Sequence, residues 1–179
     1  MLEGKKIELV SINEADSAFM VSLLNDQRIA RMEGKNEMLI SMDQQRAWVE
    51  KNKLSKSRLS LIIFEKTEKK RVGYISFKYV NQISRIGHVG IKIQQNSQGL
   101  GYGSDALRTL TDYLFCQLNI HRLQSTIVEF NKPSINLFVK KFGWKIEGQL
   151  RKSVYSEGRY FDQLIIGLLR SDFETSPKK

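Results

Sequence analysis

The chain is poor in several things, and each absence narrows what it can be. One cysteine, Cys116, in 179 residues leaves no partner for an internal disulfide, which fits a reducing compartment. No apolar run approaches a membrane span, and the opening MLEGKKIELV lacks the apolar stretch of a secretion signal. A cytoplasmic protein with no membrane partner is expected. Zinc-ligand spacing and aromatic RNA-binding motifs are missing too, so no dedicated nucleic-acid surface is expected. Acidic residues are also short: 19 Asp and Glu face 29 Lys and Arg, a formal net charge of +10. Such a balance favours an anionic partner, whether nucleic acid, a phosphorylated cofactor, an acidic protein or a nucleotide-linked substrate.

What is present is ordinary for a globular chain, with 41% hydrophobic and 27% charged residues and no internal repeat or linker. The length suits one domain over residues 1–174, with a frayed tail at 175–179. Residues 6–12 (KIELVSI) read as a first strand. Asn13 can cap a helix carrying Ala15, Phe19, Leu23 and Leu24. A polar irregular stretch at 31–40 leads to a second helix over about 42–54, capped by Ser41 or Asp43. Residues 59–64, 72–80 and 86–93 read as successive antiparallel strands joined by KTEKKR and NQIS. A long helix then carries Leu107, Leu110, Leu114 and Leu118 on one stripe. A strand at 123–128, a short helix after Pro133 and closing strands at 144–150 and 163–169 follow. The fold class is α/β (α+β): a central, mostly antiparallel mixed sheet flanked by helices.

The segment QQNSQGLGYGSDAL places Gly99, Gly101 and Gly103 between a strand and a helix, in a chain with only 12 glycines. A strand that feeds glycines and then a helix suits a phosphate, because first-turn N–H groups and the helix dipole favour negative charge. The dinucleotide fingerprint fails, since the spacing is G-x-G-x-G, and no Gly-Lys-Ser/Thr of the nucleotide-triphosphate loop is present. What fits is Gln98-x-x-Gly101-x-Gly103, with a plain turn or helix cap as the alternative.

That pattern resembles the Q/R-x-x-G-x-G/A loop of the Gcn5-related N-acetyltransferase (GNAT) superfamily, which holds the diphosphate of acetyl-coenzyme A. NKPSINLFVKKFG (131–143) is similar to the superfamily's N-x-x-S/A-x-x-x-[Y/F]-x-K-x-G pattern. WKIEGQLRKSVYSEGRYFDQLIIGLL (144–169) resembles the E-G-x-x-R…G-x-Y-x-D…L-L ending of its ribosomal-protein (RimJ/RimL-type) branch, an ending that polyamine acetyltransferases largely share. The resemblance implies a sheet splayed around a coenzyme A cleft. It also implies acetyl transfer to a primary amine by direct attack, with acetyl-CoA as co-substrate and no metal.

It further implies a diphosphate loop of Gln98, Gly99, Gly101, Tyr102, Gly103 and Ser104, with the cofactor arm along Ile91 and Ile93. Asn131 stands where the superfamily has a cofactor-binding Asn, and it is equally placed to cap the helix. Many members carry a Tyr acid where this chain has Phe138, which cannot donate a proton and reads as core and cofactor packing. The ribosomal-protein branch uses a Ser that Ser134 matches. A Glu base is common where His88 stands; His88 is either the base or a half-exposed strand residue. The branch's later acid aligns with Val154, which leaves Tyr155 beside it as a catalytic candidate. Asp162 is expected to orient a loop, while His121, Cys116, Trp48 and Trp144 read as structural.

The acceptor pocket is expected from residues 30–40, 81–85 and 154–160. It offers Glu33, Glu37 and Glu157 against several Lys and Arg, with Glu33 and Glu37 as substrate contacts. A polycation suits that balance less well than a protein N-terminus or an amino-sugar nucleotide. A non-catalytic CoA-binding sensor is a separate reading. A homodimer is compatible with the sequence, which says little about oligomeric state.

Overall fold

The computed structural model describes residues 1–34 and 39–175. Its elements, in chain order, are β1 (Leu2–Glu3), β2 (Ile7–Ser11), α1 (Ser17–Leu24), α2 (Gln27–Met32), α3 (Met42–Asn52), β3 (Arg58–Glu65), β4 (Arg71–Asn81) and β5 (Ile86–Ile93). The second half holds α4 (Tyr102–Cys116), β6 (Arg122–Val128), α5 (Lys132–Ile135, continued by π-helical turns over Asn136–Lys141), β7 (Lys145–Ser156), β8 (Arg159–Leu169) and α6 (Arg170–Thr175). Eight strands form one sheet in the order β1-β2-β3-β4-β5-β6-β8-β7. Every neighbouring pair is antiparallel except β5 and β6, which run parallel because α4 carries the chain back between them.

Each face of the sheet is covered. Leu61, Ile63, Ile75, Phe77 and Val89 pack with Leu107, Leu110 and Leu114 of α4, so the leucine stripe does bury against the sheet. Ile62 and Tyr74, one residue out of phase, turn to the other face and meet Met20, Leu23 and Val49 of α1 and α3. Period-two alternation thus separates two cores across one sheet.

The helix caps follow the sequence closely. Ser41 accepts from Gln44 N–H at 3.2 Å, and Gln44 Oε1 accepts from Ser41 N–H at 2.8 Å, a reciprocal box worth about 1 kcal/mol. Asn13 caps a short 3-10 turn, Glu14–Asp16, that precedes α1. The buried Asp16 carboxylate takes Arg71 Nε at 2.8 Å, so its charge is paired.

Three parts differ from expectation. Helix α2 occupies a stretch not anticipated as helix, with Asp26 accepting from Arg28 N–H at 2.9 Å. β7 extends to Ser156 and β8 starts at Arg159, well beyond the expected limits. Strand β7 is exposed along most of its length and shows little apolar alternation, so its hydrogen bonds to β8 rather than its side chains define it. The residues expected to lead into a tail form α6 as far as Thr175, and the last four lie outside the described residues.

Candidate active site

Strands β5 and β6 pair over only three positions, ending at His88 opposite Gln124. Beyond that point they part, while β4 continues beside β5 to Ile93. Gln94 N–H donates to Val72 O at 2.8 Å, and antiparallel hydrogen bonding alternates along the strand. Ile91 therefore turns its N–H and C=O, and Ile93 its N–H, into the opening. Backbone groups beside a cavity call for a partner, and an extended ligand arm can supply one as an added strand does.

The glycine loop closes one end of this opening. Gly99 and Gly101 have φ of 79° and 90°, in the left-handed region where a side chain is strained. Gly103 is glycine for another reason: a Cβ there would sit 3.3 Å from Ile93 Cγ1, where α4 closes on β5. Gly101 places no side-chain cap on α4, so first-turn N–H groups have no intrahelical partner and the dipole favours an anion. Lys141 Nζ reaches Ser104 Oγ at 2.8 Å, and Lys6 Nζ donates to Leu100 O at 3.1 Å, bringing positive charge to the same loop. The first-turn acid Asp105 is turned away, accepting from Lys6 N–H at 2.6 Å.

These groups line a cavity of about 460 Å³. Of the expected cofactor residues it gathers Ile91, Ile93, Gln98, Gly99, Gly101, Gly103, Ser104 and Asn131. Gln98 uses its side chain locally, donating to Ile93 O at 3.1 Å and so holding the loop against the strand end. Tyr102 offers the loop its backbone rather than its ring: it is the first residue of α4, and its half-buried ring packs against the apolar core and lines neither major cavity.

A second cavity, of about 720 Å³, opens on the face covered by α1 and α3 and shares Glu33, Ile91, Lys92, Asn131 and Ser134 with the first. Its floor follows from strand register. Arg58 pairs with Lys78 and Lys78 with His88; Ser60 pairs with Ser76 and Ser76 with Gly90; Ile62 pairs with Tyr74 and Tyr74 with Lys92. Residues opposite each other share a face, so Tyr74, Ser76, His88, Gly90 and Lys92 form a polar floor under the two helices. His88 stands on it at the last paired position before the strands part.

The "Acetyltransferase (GNAT) domain" family model matches residues 6–145. The chain belongs to the GNAT acetyltransferase family. Relatives of this GNAT chain include the SPbeta prophage-derived uncharacterized N-acetyltransferase YokL of Bacillus subtilis (strain 168), 28% identical over 96% of this chain and 94% of that one. A spermidine N(1)-acetyltransferase of Vibrio cholerae serotype O1 is 26% identical over 62% of this chain and 64% of its own. Among solved structures, spermidine N-acetyltransferase from Vibrio cholerae in complex with CoA and spermine superposes with a TM-score of 0.88 at 22% identity. That match covers 95% of this chain and 99% of the other, and it shows the shared fold. The activity is N-acetyl transfer from acetyl-CoA to an amine.

On this GNAT frame the remaining expected residues take definite places. Asn131 Oδ1 accepts from Ser134 N–H at 3.1 Å and its Nδ2 donates to Met32 O at 2.8 Å. The side chain thus caps α5 and ties it to the end of α2. Ser134 lies where the two cavities meet. Phe138 is buried edge-on against Trp144, ring centroids 4.9 Å apart, and also lines the larger cavity. The run from Phe138 to Gly143 is one residue longer than the GNAT pattern, and the π-helical turns over Asn136–Lys141 absorb the extra residue.

Glu33 forms a half-buried ion pair with Lys92 at the junction of the cavities. Glu37 lies outside the described residues. Tyr155 is a correction: it is exposed on β7 with its ring 5.0 Å from Tyr160, and neither major cavity includes it. Glu157, in the turn after β7, pairs with Arg31 Nε at 2.8 Å. Asp162 accepts from Lys152 N–H at 2.8 Å and from Gln149, fixing a bulged loop, and the Lys152 contact leads in holding its pKa below the usual carboxylate value. Sequence reasoning missed Lys141, Arg28 and Gln45. Their only signal was type, a cation or an amide, with nothing local to show that the fold would turn them to the cleft.

Proposed function

We propose that acetyl transfer takes place where β5 and β6 part, with the acetyl-CoA arm along Ile91 and Ile93 and its diphosphate on the first turn of α4. The supporting observation is that His88, the last residue of β5 paired with β6, stands on the floor of the larger cavity beside the point where the strands part. Acetyl-CoA supplies an activated thioester. The chain's residues then have three tasks.

The attacking amine must be neutral, and His88 takes its proton directly or through one water. The nitrogen–carbon bond forms as the carbon–sulfur bond breaks, and Ser134 Oγ–H donates a hydrogen bond to the departing sulfur. Lys141, with the α4 N–H groups, holds the diphosphate so that the thioester stays in line. Phe138 has no hydroxyl to offer and contributes a dry wall.

The acceptor is a primary amine, on a small molecule or a protein N-terminus, entering between α1, α3 and the sheet. The RimJ/RimL-like ending of the chain supports the second form, and the single cysteine suits a reducing, cytoplasmic setting. Relatives named as spermidine N-acetyltransferases favour a polyamine as a second reading. Thermal stability with and without acetyl-CoA, followed by thiol release over a panel of amines, tests the proposal. Stabilisation and amine-dependent release are expected, since a ligand that binds the native state raises apparent stability. Release with no amine dependence would count against transfer.

A further inference from the structure

The larger cavity carries an anion-binding end, and we infer that the acceptor is a primary amine that also bears an anionic oxygen group, a carboxylate or a phosphate, held by Arg58. The inference rests on the transfer reading above and names its substrate class.

Arg58 begins β3 and lines the cavity half-buried, its guanidinium 5.7 Å over the Trp48 ring. No described residue gives it a carboxylate or carbonyl partner, so its planar fork of N–H donors is open to a ligand. Stacking on Trp48 fixes that fork before any ligand arrives. Gln45 is the independent second observation. It is only 3% exposed, lines the same cavity, and its Nε2 has no acceptor among the described residues. Gln45 and Trp48 are three residues apart on α3 and so share a helix face, and with Arg58 they line the same cavity.

Register sets the span. Arg58, Lys78 and His88 stand in one row across β3, β4 and β5, so the Cα atoms of Arg58 and His88 lie two strand spacings, roughly 10 Å, apart. An amine at His88 leaves its far end toward Arg58, and Lys78, exposed and paired between them in register, adds positive charge to the same row. Among the described residues the acidic side chain of this wall is Glu33, which Lys92 already holds. A cationic tail would meet Arg58 and Lys78 with like charge, whereas an anionic one gains charge-assisted hydrogen bonds.

The test measures thiol release by the full chain with matched amines that differ in one anionic group. Suitable pairs are tyramine and tyrosine, ethanolamine and phosphoethanolamine, and glucosamine and glucosamine 6-phosphate, with spermidine alongside. The anionic member of at least one pair should have a kcat/KM about tenfold or more above its partner, the size expected of hydrogen bonds to a charged group. The pair that responds separates carboxylate from phosphate. Arg58→Met should abolish that preference, lowering kcat/KM for the anionic member far more than for the neutral one. Arg58→Lys should retain part of it, and Gln45→Leu should weaken it with the guanidinium in place.

Equal rates within every pair, or spermidine as the best acceptor, would overturn the inference while leaving transfer intact. An Arg58→Met loss shared equally by neutral and anionic amines would also overturn it. No release from any amine, with stabilisation by acetyl-CoA preserved, would remove the transfer reading and the inference together.

Discussion

Arg122 and Glu147 meet across the backbone of Gly167. Arg122 Nη1 donates to Glu147 Oε1 at 2.7 Å, joining β6 to β7 over the intervening β8. A Cβ on Gly167 would lie 2.5 Å from Glu147 Oε1 and 2.7 Å from Arg122 Nη2, so this glycine makes room for the pair. Register shifts between Ile146 and Gly148, and that bulge aims Glu147 back at Arg122. The hydrogen bond from Arg122 holds the Glu147 carboxyl below its ordinary value.

A carboxylate with a depressed folded pKa stabilises the fold above its unfolded pKa, and the contribution is lost as pH falls through the folded value. Melting temperature should therefore decline below about pH 4.5, the ordinary Glu value. Glu147→Gln should flatten that acid limb and change little at pH 7 beyond the loss of the pair. An unchanged acid limb in a melt series from pH 7 to pH 3 would remove Glu147 from the account. Gly167→Ala should lower the melting temperature by displacing the pair.

The diphosphate assignment predicts a binding effect separable from folding. Lys141→Ala should raise the KM for acetyl-CoA several-fold with little change in kcat, since Lys141 touches Ser104 rather than the reacting carbon. Gly101→Ala forces a side chain at φ 90° and should cost about 1–2 kcal/mol of stability as well as cofactor affinity. Initial rates against acetyl-CoA concentration, with melts of each variant, separate the two effects.

Asn131 serves through two different atoms, and two substitutions divide them. Asn131→Asp keeps the oxygen that caps α5 but loses the donor to Met32 O. Asn131→Ala loses both, including a cap worth about 1 kcal/mol. The aspartate variant should melt near the parent yet show a raised acceptor KM, because the end of α2 loses its tie. Equal melting and equal KM for the two variants would sink this division of labour.

The proton-transfer roles predict different signatures. His88→Ala should lower kcat by about tenfold or more and remove the acid limb of the pH–rate profile. Ser134→Ala should lower kcat with that profile kept. An unchanged profile for His88→Ala would reassign the base.

Much of the fold was legible because its signals are local. The leucine stripe of α4, the Ser41–Gln44 cap and the alternation of β3 to β5 depend on residues a few positions apart. The glycine loop was legible for the same reason: positive φ at Gly99 and Gly101 is a demand of the backbone itself. Strand β7 and helix α2 were less so, since pairing to β8 and a single Asp26 cap leave little mark on composition.

The sequence by itself determined the acetyltransferase family, the order of most elements and the glycine loop between β5 and α4, because each is written in short, contiguous patterns. Only the tertiary structure decided that β5 and β6 part at His88, that Arg58 shares its row, and that Lys141 returns to Ser104. It also packed the Tyr102 ring against the core and left Tyr155 exposed. These relations join residues 30 or more positions apart, or turn on which face a residue takes. Strand register and helix packing fix them, and neither is encoded in any local stretch of the chain.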